Sequence, residues 1–436
     1  MIITWVALLF QGFICFLLQD ASWFQDNIAL VSMFIILFTS CIFVMEMLHK
    51  YDGKIFDFAS LVIIFVGYFL RIFLIYWDLN FRHIFVLPSS GFDTEGFFRV
   101  AAGLTPGTYR YSAYMSHVFD LFGVQRPIGQ FINVLLGITC AFIAIKIAKK
   151  LTSDRNTIHI VLVLGMLLPY FMILNSIFLR EALITFYLTA SLYFFVLWFV
   201  DKRLWAIPAA MLFVGLAVFH HSGAVAPIVG YALCMAFYSH KSKSFRLNMF
   251  TIVRGAIGLS IVYGIDHFLG GALLGRFLSM DVAFLTRFAE AETGGSAYTI
   301  FVHTGIENLD FIINTPIRMI YFILSPLPWY WRNPFDIIAF FLSSLVYGYT
   351  YFISIKTLLR KERGGKDAII MLFIISIIGV FIFGWGVRNT GTAMRHRDKF
   401  LMYHILLLAL SVRREALFKT DINIKRKLSW LAMPTN

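Results

Sequence analysis

Apolar segments long enough to cross a lipid bilayer recur along almost the whole chain, and they leave room for few folds. A helix needs about 17–25 apolar residues to cross ~30 Å of hydrocarbon. Because lipid offers the backbone no hydrogen bonds, runs of this length indicate membrane-spanning helices. The runs lie at residues 2–18, 28–47, 56–77, 127–148, 157–176, 182–200, 204–219, 222–239, 248–272, 335–355, 367–386 and 400–412. They predict an all-α polytopic membrane protein with about 12 transmembrane helices, in which residues 1–436 form a single integral membrane domain.

The composition excludes the common classes of soluble protein. Hydrophobic residues make up 59% of the chain and charged residues only 14%, whereas a soluble domain has about 25% charged residues. Too few charges remain to cover a water-exposed surface, so a soluble enzyme, a secreted disulfide scaffold and a disordered protein are all excluded. The four cysteines lie inside apolar runs and do not have metal-binding spacing. We expect them to be buried and to act as small apolar side chains.

Lysine and arginine in the short loops predict the orientation of the chain. Together, 21 of the 37 basic residues lie near residues 48–55, 149–156, 202–203, 241–246 and 356–366 and in the C-terminal tail. With twelve spans, all six segments fall on the side of the N-terminus, so both termini are predicted to be cytoplasmic. The net charge of +13 is then explained by loops beside anionic lipid, and no nucleic acid partner is expected.

Two long interruptions are predicted to be outer loops. Residues 78–126 form a large outer loop with an amphipathic helix, and residues 273–334 form the second. Within the second, residues 311–331 are apolar enough to cross, but crossing would place the next basic loop outside. We therefore expect a re-entrant or interfacial helix there, broken by Pro326 and Pro328. In the alternative, this stretch crosses and another run does not.

The basic residues predicted to face outwards are nearly all arginines. Twelve of these thirteen residues are arginine, whereas the cytoplasmic segments hold 13 lysines and 8 arginines. Arginine presents a planar fork of donors that fits phosphate oxygens. The bias therefore indicates either phosphate binding or arginines that extend to the outer membrane interface.

An acidic pair, Asp93 and Glu95, lies in the first outer loop. Two carboxylates just outside the membrane could bind a divalent cation or accept a proton from a sugar hydroxyl, and both are candidate catalytic residues. In the alternative interpretation they only begin a helix, with Asp93 as its N-cap and Glu95 in its first turn.

Two further candidates lie at hinges between predicted spans. Arg180, followed by Glu181, interrupts an otherwise apolar stretch, where a charge is costly and indicates function. Forty residues later, His220 and His221 precede a serine, and either could act as a general base or bind phosphate. The alternatives are an internal ion pair for Arg180 and structural hydrogen bonds for the histidines.

A basic outer segment, residues 386–399, runs against the charge trend of the predicted topology. It carries Arg388, Arg395 and Arg397, which we predict to bind an anion, and Gly391 permits a turn that presents backbone N–H groups. No spacing of His, Cys, Asp or Glu resembles a metal motif, so no metal site is predicted.

Two weaker features complete the outer side. Residues 292–296 are rich in glycine and predict a flexible loop that could act as a lid. Residues 326–331 combine prolines with aromatic residues, which indicate either an ordinary interfacial belt or a platform for a sugar ring or a lipid tail.

The motifs LREAL at residues 179–183 and FHHSG at residues 219–223, about forty apolar residues apart, resemble those of EpsG/Wzy-type polysaccharide polymerases. The stretch 111–148 resembles the segment after the first large loop in those proteins and, more distantly, in lipid-linked-sugar glycosyltransferases of the GT-C class. The resemblance covers residues 90–400 loosely. One departure is Glu181, where the family usually has glutamine.

This resemblance implies a polymerase of polyprenyl-diphosphate-linked oligosaccharides, such as undecaprenyl-diphosphate-linked O-antigen, capsule or exopolysaccharide units, on the outer face of the bacterial inner (cytoplasmic) membrane. A sugar hydroxyl of the lipid-linked acceptor would attack the lipid-linked donor and expel polyprenyl diphosphate. Arg180, Arg388, Arg395 and Arg397 would neutralise this leaving group, so no cofactor is required. A chain-length regulator or a flippase would be a further partner.

Two other functions fit the sequence. A GT-C glycosyltransferase that uses a polyprenyl-monophosphate sugar would use Asp93 and Glu95 as base or as ligands of a divalent cation. A lipid-oligosaccharide transporter or flippase would instead require polar residues in mid-span and inverted repeats. The polar groups of this chain are concentrated at the outer hinges, which favours a transferase.

Overall fold

The chain folds almost entirely into α-helices. The computed structural model describes residues 1–51, 57–268, 297–298, 300–360 and 366–431, with side chains omitted for 265, 266 and 417–431. The helices are α1 (Ile2–Leu18), α2 (Ser22–Asp26), α3 (Ile28–His49), α4 (Phe58–Asn80), α5 (Phe92–Ala101), α6 (Arg110–Phe122), α7 (Arg126–Leu151), α8 (Arg155–Leu167), α9 (Pro169–Ser176), α10 (Glu181–Asp201), α11 (Ala206–His220), α12 (Ala226–Phe237), α13 (Met249–Phe268), α14 (Glu307–Leu324), α15 (Pro334–Leu359), α16 (Asp367–Gly386), α17 (Thr390–Asp398) and α18 (Leu401–Leu431). A short antiparallel pair joins β1 (Tyr238–Ser239) to β2 (Ser244–Phe245).

Helices α7 and α10 form the centre of the bundle. They pack against each other, and α8, α9 and α11 surround them. Both are apolar on every side, as expected for helices that are enclosed by other helices. Helices α3 and α4 leave large apolar side chains such as Phe34 and Phe73 exposed, which is the arrangement of helices that face lipid.

Six helices in the described part of the chain are long and apolar enough to cross a membrane: α3, α4, α7, α10, α15 and α16. The bent pair of α8 and α9 raises the number to seven if it counts as one span. Helices α1 and α11, the segment Ser222–Phe237 and the part Met249–Gly264 of α13 are apolar but shorter. Each of the twelve apolar runs contains a helix within the residues that the structure describes, but twelve full spans are not confirmed.

The bundle has two chemically different ends. Helix α4 begins after Asp57, whose carboxylate caps it by accepting from the Ser60 N–H (2.9 Å). Arg155 at the start of α8 pairs with Asp57, and Lys150 at the end of α7 pairs with Asp201 at the end of α10. The basic loop 149–156 thus lies at the same end as the start of α4 and the end of α10. The opposite ends of α4, α7 and α10 carry the candidate site residues.

A buried arginine stabilises the break between α8 and α9. Pro169 lacks the N–H that would bond to the Gly165 carbonyl, and the helix bends by 49° there. Arg71 of α4 is fully buried, and its guanidinium donates to the carbonyls of Met166 (2.7 Å) and Gly165 (3.3 Å). Gly67 permits this approach because a Cβ there would lie 2.8 Å from the Met166 oxygen.

Helix α14 lies across the end of α16. Phe311 stacks on Trp385 at 4.7 Å, and Phe322 stacks on Phe383 at 5.9 Å. Between them, Arg318 donates to the Gly384 carbonyl (3.2 Å). Contacts spread over three turns of α14 thus meet little more than one turn of α16. The helix ends at Leu324, just before the two prolines, and the interfacial position of residues 311–331 stays a prediction.

We expect both ends of α14 to lie on the same side of the membrane. With the four native cysteines replaced, Asn308→Cys and Arg332→Cys should both react with an impermeant maleimide from outside intact cells. His49→Cys, at the basic end, should react only after permeabilisation. Reaction of the first two from opposite sides would show that α14 crosses the membrane.

Candidate functional site

Arg395 joins three distant parts of the chain. Its guanidinium pairs with the carboxylate of Asp93 through one terminal nitrogen and with that of Glu181 through the other, at 3.0 Å. The Lys399 ammonium nitrogen lies 3.9 Å from the same Glu181 oxygen. Glu181 and Lys399 are buried, whereas the Asp93 side chain is 49% exposed. The site therefore has a buried floor and an open, acidic edge.

Local helix chemistry places each of these side chains. Helix α5 begins at Phe92 with Gly91 as its N-cap, so Asp93 lies in the first turn and the alternative that made it the N-cap is wrong. Arg180 is the N-cap residue of α10, directly before Glu181. Helix α17 is capped by Asn389, whose side chain accepts from the Thr392 N–H at 2.9 Å.

Arg180 lies beside this pair of carboxylates, at the end of α11. It donates to the His220 carbonyl at 3.2 Å, and its guanidinium carbon lies 5.7 Å from the centre of the Phe97 ring. Burial lowers the pKa of Lys399 well below its ordinary value, and the positive charges of Arg180 and Arg395 lower it further. Arg180 and Arg395, far apart in sequence, thus belong to one electrostatic unit.

Two histidine rings form one wall of the site. His221 lies 4.5 Å from the ring of His396, measured between ring centres. His221 Nδ1 accepts from the Gly223 N–H at 3.2 Å, so a neutral ring carries its proton on Nε2. Burial lowers the pKa of His396, and the neighbouring cations Lys399 and Arg395 lower it further. His396 is therefore neutral at pH 7.

His220 faces a different neighbour. Its ring stacks on Tyr187 with centres 6.1 Å apart, while its carbonyl accepts from Arg180. Of the two predicted histidines, His221 lies against His396 in the wall of the site. His220 provides its backbone carbonyl to Arg180.

Glu95 belongs to a second, adjacent network. It pairs with Arg82 and with Arg126, the latter at 2.5 Å. Arg126 also pairs with the buried Asp78 at 3.2 Å, and Gln130 donates to Asp78 at 2.8 Å. Burial opposes ionisation of Glu95, but the two arginines outweigh it and lower its pKa. Glu95 thus fixes α5 against the start of α7.

Arg397 lies on the other side of α17 from Arg395. It is 1% exposed and donates to the carbonyls of Ile323 (2.5 Å) and Ser325 (3.0 Å) at the end of α14. Arg388 precedes α17, and its carbonyl accepts from the Tyr298 N–H at 2.8 Å. The structure therefore groups Asp93, Arg180, His221 and Arg395, and separates Arg397 and Glu95 from them.

Several buried polar atoms of the site have unused hydrogen-bonding capacity. Within the described part of the chain, the following have no hydrogen-bond partner: Arg180 Nε, Glu181 Oε2, Arg395 Nε, His396 Nδ1 and Lys399 Nζ. Buried polar groups are normally paired, so a concentration of exceptions marks a place where a polar ligand or water binds. Three of these atoms are N–H donors, on two arginines and a lysine, and donors of this kind suit the acceptor oxygens of an anion.

The described residues contain no group of three or more His, Cys, Asp or Glu that could hold a metal ion. The residues 292–296, predicted as a lid, lie outside the described part of the chain.

Five residues of the two networks are not predicted as site residues from the sequence: His396, Lys399, Asp78, Arg82 and Arg126. His396 and Lys399 carried a signal, because they lie in the same basic segment as Arg395. Asp78 and Arg82 are spaced as a helical i,i+4 pair, which could have marked the end of α4 as a charged centre.

No protein-family model matches the sequence. A search of curated proteins finds no match either. Among solved structures, the chain is similar to the crystal structure of the Archaeoglobus fulgidus oligosaccharyltransferase in the apo form, with a TM-score of 0.46 and 15% sequence identity. The similarity covers 89% of this chain and 53% of that one, so the chain spans about half the length of the archaeal protein.

We predict that Glu95→Gln destabilises the protein, because Arg82 and Arg126 lose their shared carboxylate. At pH 7 the free energy of unfolding should fall by about 0.5–1.5 kcal/mol, a modest value because Glu95 is partly exposed. The folded state lowers the pKa of Glu95, so this contribution is present above the unfolded value of about 4.3 and is lost as pH falls through the folded value.

Thermal unfolding of the detergent-solubilised proteins at pH 7 and near pH 4 measures this effect, and the difference from the unmodified chain should shrink at the lower pH. Asp120→Asn removes an exposed carboxylate on α6 and should change little. Equal stability of Glu95→Gln and the unmodified chain at pH 7 would contradict the anchoring role.

Proposed function

We propose that the protein is a membrane glycosyltransferase that polymerises polyprenyl-diphosphate-linked oligosaccharide repeat units on the outer face of the bacterial inner membrane. The observation that carries this proposal is the position of Arg395 between Asp93 and Glu181, with Arg180 and Lys399 beside it. Such a site combines cations for a diphosphate with a carboxylate that can accept a proton.

The chemistry follows from these groups. A hydroxyl oxygen of the acceptor sugar forms a bond to the anomeric carbon of the donor sugar. The bond from that carbon to the diphosphate oxygen breaks, and its electron pair leaves with polyprenyl diphosphate. The hydroxyl proton passes to the Asp93 carboxylate, which is half exposed at the open edge of the site.

Charge on the leaving group is met by Arg180 and Arg395. Preorganised donors in a partly desolvated site stabilise developing charge more strongly than water does. Both guanidinium groups are held by fixed acceptors, Arg180 by the His220 carbonyl and Arg395 by Glu181. The proposed reaction needs no metal ion or other cofactor, and its partners are the two lipid-linked glycans.

The arrangement is less suited to the alternative that uses a polyprenyl-monophosphate sugar with Asp93 and Glu95 acting together. Asp93 pairs with Arg395, whereas Glu95 pairs with Arg82 and Arg126. The two carboxylates thus serve different centres.

Deletion of the gene tests the proposed function directly. Surface glycans of the deletion strain should lose long chains and keep single repeat units when separated on a gel, and an intact copy of the gene should restore the long chains. Loss of single units as well would indicate a transferase that builds the unit, or a flippase, and would refute polymerisation.

We predict that Arg180→Lys and Arg395→Lys each reduce chain elongation at least about tenfold, equivalent to ~1.4 kcal/mol of activation free energy. Lysine keeps the charge but loses the fork of donors. Arg99→Lys is the matched control, since Arg99 lies exposed on α5 and should elongate normally. Elongation rates are compared at equal amounts of membrane-inserted protein, and normal rates in both site variants would refute the diphosphate role.

A further inference from the structure

The Arg395 guanidinium is shared between two carboxylates of unequal accessibility. Glu181 is 2% exposed, and Asp93 is 49% exposed. A buried ion pair is costly to separate because one charge is left without compensation, whereas a half-exposed pair is screened and weak. Arg395 therefore holds Glu181 firmly and Asp93 loosely, and Asp93 is the partner that an incoming anion can replace.

Buried donors adjacent to this pair are available to such an anion. Lys399 is fully buried, and within the described residues its ammonium nitrogen has no hydrogen-bond partner although Glu181 is 3.9 Å away. The Nε atoms of Arg180 and Arg395 are also buried and have no hydrogen-bond partner among the described residues. Three donor groups thus converge without sufficient acceptors: Arg395 on α17, Lys399 directly after α17, and Arg180 directly before α10.

From this geometry we propose that Asp93 is an internal latch on the anion site, which a phosphate or diphosphate group opens by taking its place on Arg395. The buried Lys399 amine is a third donor to the opened site. The proposal rests on the proposed function and adds the order of events to it. Arg395 holds the proton acceptor Asp93 in an ion pair, and binding of the diphosphate releases Asp93 as a free carboxylate.

The latch has a chemical consequence. The Asp93 oxygen that accepts a hydrogen bond from Arg395 is occupied and cannot take a hydroxyl proton. Asp93 therefore becomes a competent base only after the leaving group is bound. An acceptor sugar that arrives first is not activated, and the donor is required before chemistry begins.

Binding of inorganic pyrophosphate to the full-length, detergent-solubilised protein tests the latch by calorimetry. Asp93→Asn removes the competing carboxylate, so pyrophosphate should bind about two- to fivefold more tightly while chain elongation is lost. Asp120→Asn removes an equal charge from the neighbouring helix α6 and should bind as the unmodified chain does. Lys399→Met should weaken binding at least about tenfold.

The outcomes separate the latch from the proposed function. If Asp93→Asn binds pyrophosphate no more tightly than Asp120→Asn, the latch is refuted while the anion site stands. If the unmodified protein binds no pyrophosphate, the diphosphate site and the proposed function fail together. If Lys399→Met keeps its thermal stability and binds normally, Lys399 is not part of the site. The thermal unfolding midpoint of each variant shows whether it is folded.

Discussion

The structure depends on hydrogen-bond donors for the backbone carbonyls at the ends of interrupted helices. A helix that ends within a membrane protein leaves its last carbonyls without N–H partners, and each unsatisfied group costs several kcal/mol in an apolar environment. Three fully buried arginines meet this demand. Arg71 bonds to the end of α8, Arg318 to the end of α16, and Arg397 to the end of α14. These arginines stabilise the helix ends because they donate hydrogen bonds to the unpaired carbonyls.

The same constraint divides the arginines into two groups. Arginine is suited to this structural work because it has five donors in a fixed plane and spans two carbonyls at once. Arg180 combines both roles, since it bonds to the end of α11 and keeps a donor for the site. Arg395 differs from Arg71, Arg318 and Arg397 because carboxylates, and not carbonyls, hold it. Carboxylate partners can be exchanged for another anion, whereas backbone carbonyls cannot.

The sequence alone predicts the helices and much of the site. Apolar runs mark the helices because the bilayer requires them. Arg180 stands out as a charge at an apolar hinge, and Arg395 as part of a basic segment that runs against the charge trend. Their partners could not be predicted in the same way. Arg395 and Arg397 are two residues apart in one basic segment, and only the packing of α14 against α17 directs Arg397 away from the site. In the sequence, Glu95 cannot be distinguished from Asp93, because the difference comes from Arg126 of α7, which pairs with Glu95 only in the folded protein.

Helix α5 has a mechanical role that follows from its two carboxylates. Residues two apart on a helix project about 200° from each other, so Asp93 and Glu95 point to opposite sides of a ten-residue rod. One side is fastened to α7 and the other to α17. Helix α5 therefore connects α7 to α17, and the spacing of its two carboxylates along the helix is as constrained as their chemistry. A single inserted residue between the two carboxylates would turn one of them by about 100° and leave either the anchor or the latch without its counterpart.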